Sequence, residues 1–210
     1  MCDAGAPEAA ALSRLGVREG SPNTHPGQGT ANRRYFFQNA YLELLWVQDA
    51  AEAQREPVRH TRLWDRWLRR QAGACPFGVV LRAGSDTPFT PAPFPTWAYV
   101  PHYLPQGTII DVGSETPLTE PEFFYMGLLR AGSRPGQEPV VHDVPLTQLT
   151  GVAIGMPGSA PLSATARAIE ARGLIAFDRS IDFVLRLIFD NAIGGCSADL
   201  RPALPLVLEW

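Results

Sequence analysis

The sequence predicts an α+β fold of paired βαβββ modules, with two curved sheets around a central cleft. Three observations predict it. The 210 residues include 19 Gly and 20 Pro, which cut the chain into short elements. Helical periodicity is confined to a few segments, while most apolar runs have the length and two-faced pattern of strands. Finally, the two ends of the chain carry similar element series, and an internal repeat sets an architecture before any detail does.

Residues 6–15, "APEAAALSRL", have helical composition, with Pro7 in the first turn and Gly16 as the stop. "GVREGSPNTHPGQ" reads as a weak strand running into a turn-rich loop. "GTANRRYFFQN" follows as a strand, with Asn39 marking a turn, and "AYLELLWV" is a stronger strand interrupted by one carboxylate. Residues 57–72 switch to helical period. Val58, Leu63, Trp64, Trp67 and Leu68 form the apolar stripe, and Arg59, Arg62, Arg66, Arg69 and Arg70 mostly form a solvated face. "CPFGVVLRA" is a strand. The proline- and aromatic-rich stretch 85–106 is too apolar for a disordered linker and reads as an ordered connection over the core. "GTIIDVG" is a strand, "TEPEFFYMGLL" fits helix or strand, and "GSRPGQEP" is a turn. "PLTQLTGVAIGM" contains a strand. Residues 159–173 form a helix between Ser163 as N-cap and Gly173 as stop. "LIAFD", "DFVLRLIFDN" and "LPLVLEW" close the chain as strands.

Set side by side, the C-terminal series is βαβββ, and the N-terminal series is the same with its opening strand reduced to "MCDAG". Wording recurs as well: "FFQN" against "IFDN", and "LELLW" against "LVLEW". The expected organisation is one compact domain. Residues 1–50 form the first module with a truncated first strand, 51–145 a linking helix and irregular or strand region, and 146–210 the second module.

Composition narrows the function. A net charge of -3 gives no general basis for nucleic-acid binding. All 18 basic residues are Arg, so lysine Schiff-base chemistry is excluded. Cys2, Cys75 and Cys196 are scattered and in no CxxC pair, which suits a reducing, cytoplasmic compartment. The N-terminal stretch lacks the pattern of a signal peptide, and no apolar run suggests a membrane span. G-x-S-x-G, P-loop, H-E-x-x-H and dinucleotide fingerprints are absent.

The segment "HPGQGTANRRYFF-QNAYLELLWV", together with "CPFGVVLR" and "DLRPALPLVLEW", resembles the glyoxalase-like branch of the vicinal oxygen chelate superfamily. The resemblance implies the glyoxalase/bleomycin resistance-like fold and a cleft that in many members holds a divalent metal such as Zn, Ni, Mn or Fe. It implies a lyase or isomerase acting on a small oxygenated metabolite, with the metal as Lewis acid. Some members instead sequester drugs without chemistry, and homodimers are common among them.

Site candidates follow from the same residues. Glu43 matches the Glu of an L-E-L strand that serves as metal ligand, and it is the candidate catalytic base. Strand parity places Tyr41, Glu43 and Leu45 on one face. A carboxylate in an apolar strand requires a partner, so metal or substrate contact and an ion pair with Arg33 or Arg34 both stay open. His25 is the substitute metal ligand or a hydrogen-bonded loop residue. Asn32, Arg33 and His102 are the substrate-binding candidates, with Arg33 offering a fork for an acidic group. The His expected on a module's first strand is missing: "MCDAG" and "LTGVAIGM" have none, and "CPFGVVLR" has Pro76 or Phe77 there. Glu209 is a second L-E-type carboxylate. His142 and Asp143 adjoin but point oppositely on an extended chain, and Asp199 with Arg201 reads as a local structural pair.

Overall fold

The computed structural model describes residues 1–84, 90–127 and 138–210. Phe89 and most of the "GSRPGQEP" turn lie outside these residues. The described chain folds into three sheets with short helices between them, a mixed α+β architecture dominated by strands.

The first sheet follows helix α1 (Ala9–Leu15), which stops at Gly16 in a left-handed conformation (φ 90°). It contains β1 (Asn23–His25), β2 (Thr30–Phe36) and β3 (Tyr41–Val47), paired antiparallel in that order. Residues 17–22, expected to be strand, are extended without a ladder, and the strand begins later, at Asn23. The Cys2 amide donates to the Leu45 carbonyl at 2.8 Å, which lays the start of the chain beside β3.

Residues 57–72 do not form one helix. A 3-10 turn (Val58–Thr61) and α3 (Leu63–Leu68), preceded by the short α2 (Ala50–Ala53), are separated by Arg62 at φ 56°. The solvated arginine face is also broken. Arg66 is fully buried, because its guanidinium supplies donors to the carbonyls of Cys75 (2.8 Å) and Glu120 (2.6 Å) and to the Glu122 carboxylate (3.0 Å). Those acceptors would otherwise be buried unpaired.

The middle sheet has the order β4 (Gly78–Arg82), β7 (Glu122–Met126), β6 (Ile110–Gly113), β5 (Thr96–Tyr99), with β4 and β7 parallel. "TEPEFFYMGLL" thus contains a strand, and the linking region builds a sheet of its own. The last sheet has the order β11 (Ser197–Asp199), β12 (Leu206–Glu209), β10 (Val184–Phe189), β8 (Leu149–Met156), β9 (Ala176–Arg179). Helix α4 (Ala164–Glu170) connects β8 to β9. It is capped by Ser163, whose hydroxyl accepts from the Ala166 amide at 3.1 Å.

The N- and C-terminal units are similar in element order but wired differently. In the first and middle sheets the opening segment lies beside the last strand. In the last sheet β8 sits between β9 and β10, and β12 runs parallel to β10. The connections decide this. "FFQN" closes a tight hairpin, with Phe37 donating to the Ala40 carbonyl at 2.8 Å. "IFDN" instead leads into the long stretch 190–205, which gives β12 room to return parallel.

A continuous core joins the first and last sheets. Tyr35, Phe37 and Leu44 pack with Leu12 of α1 and with Leu187, Phe189, Leu206 and Leu208. Apolar side chains therefore fill the joint between these sheets, each stabilising the fold by ~1.5–3 kcal/mol on full burial. Asn39 pins the hairpin to β8 by accepting from the Leu149 amide (2.9 Å) and donating to its carbonyl (2.8 Å). A second core packs Phe77, Phe123 and Tyr125 of the middle sheet region against Ile154, Ala166 and Ile169. No helix among the described residues is long and apolar enough to cross a membrane.

Candidate functional site

With its other face committed to the core, the first sheet presents a second face, built by register, that mixes polar residues with Phe36, Leu45 and Val47. His25 is opposite Thr30, Asn23 opposite Asn32, and Arg34 opposite Glu43. Alternation puts His25, Thr30, Asn32, Arg34, Glu43 and Tyr41 on this face, and turns Arg33 to the other.

The turn that enters β2 explains the glycines of "HPGQGT". The His25 carbonyl accepts from the amides of Gln28 (3.0 Å) and Gly29 (3.2 Å). Gly27 and Gly29 are both left-handed, and a Cβ on Gly29 would lie 2.2 Å from the Asp49 carbonyl oxygen. Only glycine combines that φ with that approach. The turn sends the Gln28 side chain back onto the sheet. Tyr103 donates to Gln28 Oε1 (3.2 Å), Gln28 Nε2 donates to Thr30 Oγ1 (2.8 Å), and Thr30 Oγ1 is 2.8 Å from His25 Nδ1. The Tyr103 ring lies against the His25 ring, with centroids 4.7 Å apart.

Electrostatics follow burial. Desolvation, aided by the Arg34 charge, pushes His25 down to about 4, so the imidazole is neutral at pH 7. Burial first, then Tyr99, Glu43 and Tyr41, pushes the Tyr103 phenol well above its usual range. Asn32 is wholly buried. Its Oδ1 accepts from the Asn23 amide at 3.0 Å, while its Nδ2 has no hydrogen-bond partner.

The predicted residues separate accordingly. Asn32, His25 and Glu43 share the face. Arg33 does not: it forms an ion pair with Glu19 on the core side and reaches the Ala6 carbonyl at 3.3 Å. Arg34, its neighbour, is the arginine on the candidate face, and sequence reasoning named it only as an ion-pair partner. Its guanidinium binds the Ser21 carbonyl (2.8 Å) and hydroxyl (2.6 Å). His102 is exposed at the rim, where a Cβ on Gly27 would lie 3.8 Å from its own. Sequence reasoning also missed Gln28, Thr30 and Tyr103 as members of this network. The left-handed glycines flanking Gln28 were the available signal.

His25 and Glu43 sit at opposite corners of the sheet, two strands and four residues apart. At ~4.8 Å per strand and ~3.4 Å per residue, their Cα atoms are roughly 17 Å apart. That exceeds what the two side chains and a pair of ~2.1 Å metal bonds span. Among the described residues no three His, Cys, Asp or Glu side chains converge as a metal-binding group. His25 and Glu43 therefore do not fit as joint ligands of one divalent ion. Glu209 is engaged by Arg186 at 3.0 Å in the last sheet. His142 has both ring nitrogens in structural hydrogen bonds, accepting from the Arg18 amide (3.1 Å) and contacting the Phe36 carbonyl (3.0 Å), while Asp143 pairs with Arg18. Asp199 is held down to about 2 by its hydrogen bonds from Arg201, the local pair expected.

Residues 4–89 match the family described as a glyoxalase-like domain. This segment is similar to a glyoxalase-like domain. No curated protein and no solved structure matches the chain. The glyoxalase-like segment contains α1, the whole first sheet and β4, so it supplies every strand residue of the candidate face. Tyr103 and His102 come from outside it.

Proposed function

We propose that this chain, as a member of the vicinal oxygen chelate superfamily, binds a small molecule against the β1–β3 face beneath Tyr103. The observation that carries the reading is the convergence of His25, Gln28, Thr30 and Asn32, all buried and polar, on one face of the glyoxalase-like segment. Buried polar groups cost stability unless paired, and Asn32 keeps a donor unspent there. Small-molecule sites combine an aromatic cover with a few placed polar groups. In this reading the ligand is the partner, and function needs neither nucleic acid nor a membrane.

A second reading is a lyase or isomerase acting on a small oxygenated metabolite, with Glu43 as general base. It is favoured by Glu43 lying on the same face, close enough for its charge to act on the Tyr103 phenol. A metal-dependent form would require donors beyond His25 and Glu43.

A thermal-shift screen separates these readings. Stabilisation by small oxygenated or aromatic compounds that survives a chelator supports binding. Stabilisation by Zn, Ni, Mn or Fe that a chelator reverses, with metal content lowered by Glu43→Ala, overturns the metal-free reading. Homodimerisation is a separate expectation, read by light scattering at micromolar concentration.

A further inference from the structure

The hydrogen-bond chain along the candidate face has a direction. Tyr103 donates to Gln28, and Gln28 donates to Thr30 Oγ1. The Thr30 hydroxyl retains one proton, and in one of the two imidazole tautomers His25 Nδ1, 2.8 Å away, accepts it. The proton of the neutral imidazole then resides on Nε2, which makes Nε2 a donor. One position along the ladder, Asn32 supplies a second donor. Its orientation is assigned by Oδ1 accepting from Asn23, which leaves Nδ2 unpartnered in a side chain with no solvent exposure.

His25 and Asn32 are diagonal neighbours on adjacent strands. Such neighbours lie about 7–8 Å apart. A carboxylate, accepting one hydrogen bond of ~3 Å at each oxygen, bridges that spacing. The charge felt at His25 is that of the Arg34 guanidinium, itself paired with Glu138 at 3.9 Å. The group covering His25 is Tyr103, on the β5–β6 connection 100–109, where Val100, His102 and Ile109 are exposed. Tyr103 is tied to the face by its hydrogen bond to Gln28 and its ring contact with His25.

We infer that Asn32 Nδ2 and His25 Nε2 form a two-donor subsite for the carboxylate of a small ligand, which enters when Tyr103 leaves the face. The inference rests on the small-molecule reading and names its ligand class. Tyr103 is then both the cover of the empty subsite and the competitor of the ligand.

The test uses the full chain with 15N-labelled asparagine side chains, titrated with benzoate, pyruvate and, as the neutral control, benzyl alcohol. Benzoate or pyruvate is expected to shift the Asn32 side-chain amide saturably, and benzyl alcohol is not. Asn32→Asp keeps the acceptor for Asn23 and removes the donor, so it should weaken binding at least about tenfold. Tyr103→Ala removes the competitor and should tighten binding. The subsite is overturned by an unmoved Asn32 amide at about 20 mM of either acid. An equal response to the alcohol, or weaker binding in Tyr103→Ala, overturns it too. The Tyr103→Ala titration decides the matter even if Asn32→Asp does not fold. A compound that raises the melting temperature without moving the Asn32 amide sinks the subsite and leaves the small-molecule reading standing.

Discussion

Acidification should unfold this protein partly through His25. The imidazole is depressed to about 4 by burial and by Arg34, against 6.5 for an ordinary histidine. Its stabilising contribution is therefore complete above pH 6.5 and is lost as the pH falls towards 4, because the unfolded chain binds a proton that the folded chain refuses. Between pH 7 and pH 5 the two titrations differ by about 2 kcal/mol, and the limit below pH 4 is about 3 kcal/mol. The perturbation is His25→Gln, which cannot titrate. Urea unfolding followed by tryptophan fluorescence at pH 7, 6 and 5 measures the wild type and the variant. The variant starts less stable because its contact with Thr30 is altered, so the readout is the slope with pH. Carboxylates and His142 titrate in both proteins and cancel in the comparison. The wild type should lose about 2 kcal/mol more than the variant between pH 7 and pH 5. Slopes that agree within about 0.5 kcal/mol would refute a buried, neutral His25, and with it the acceptor role of Nδ1 towards Thr30.

The buried pair of Arg66 and Glu122 should be costly to break. Glu122→Ala is expected to lower stability in urea by about 3–5 kcal/mol, and Arg66→Met combined with Glu122→Leu should not recover that loss, because the Cys75 and Glu120 carbonyls then lose their buried donor. A single-variant loss under about 1 kcal/mol contradicts the burial of the pair. Gly29→Ala combines a left-handed φ of 71° with a Cβ 2.2 Å from the Asp49 oxygen. It should cost at least about 2 kcal/mol in thermal unfolding, and an unchanged melting temperature rules out this turn geometry. Arg33→Ala should change stability by less than about 1 kcal/mol, since its Glu19 pair is partly exposed, and should leave ligand affinity unchanged. Loss of binding in that variant would show that Arg33, not Arg34, faces the site.

Much of the fold was legible because strand signals are local. "TANRRYF" and "YLELLWV" became β2 and β3, Gly16 ended α1, and Ser163 capped α4, each from a handful of adjacent residues. The repeat read from the sequence corresponds in the structure only to a similar order of elements at the two ends. Recurring apolar words suit any two-faced strand, and the length of the following connection chose antiparallel pairing after "FFQN" and a parallel return after "IFDN". The arginine-rich helix misled for a related reason. Helical period places Arg66 near a polar stripe, but the acceptors that bury it come from residues 75–122, remote in sequence.

At the candidate site the division is sharper. The amino-acid sequence by itself determined that Tyr41, Glu43 and Leu45 share a face, and that Arg33 and Arg34 point to opposite faces, because side chains alternate along any extended strand. Which of those faces packs into the core was decided only by tertiary structure. The last sheet and α1 cover one side of β2 and β3, and that leaves Asn32, Arg34 and Glu43 on the other. The separation of His25 from Glu43 was likewise invisible until register was set. Register is a relation between strands, fixed by the Gly27–Gly29 turn and the "FFQN" hairpin together, and no single segment contains it.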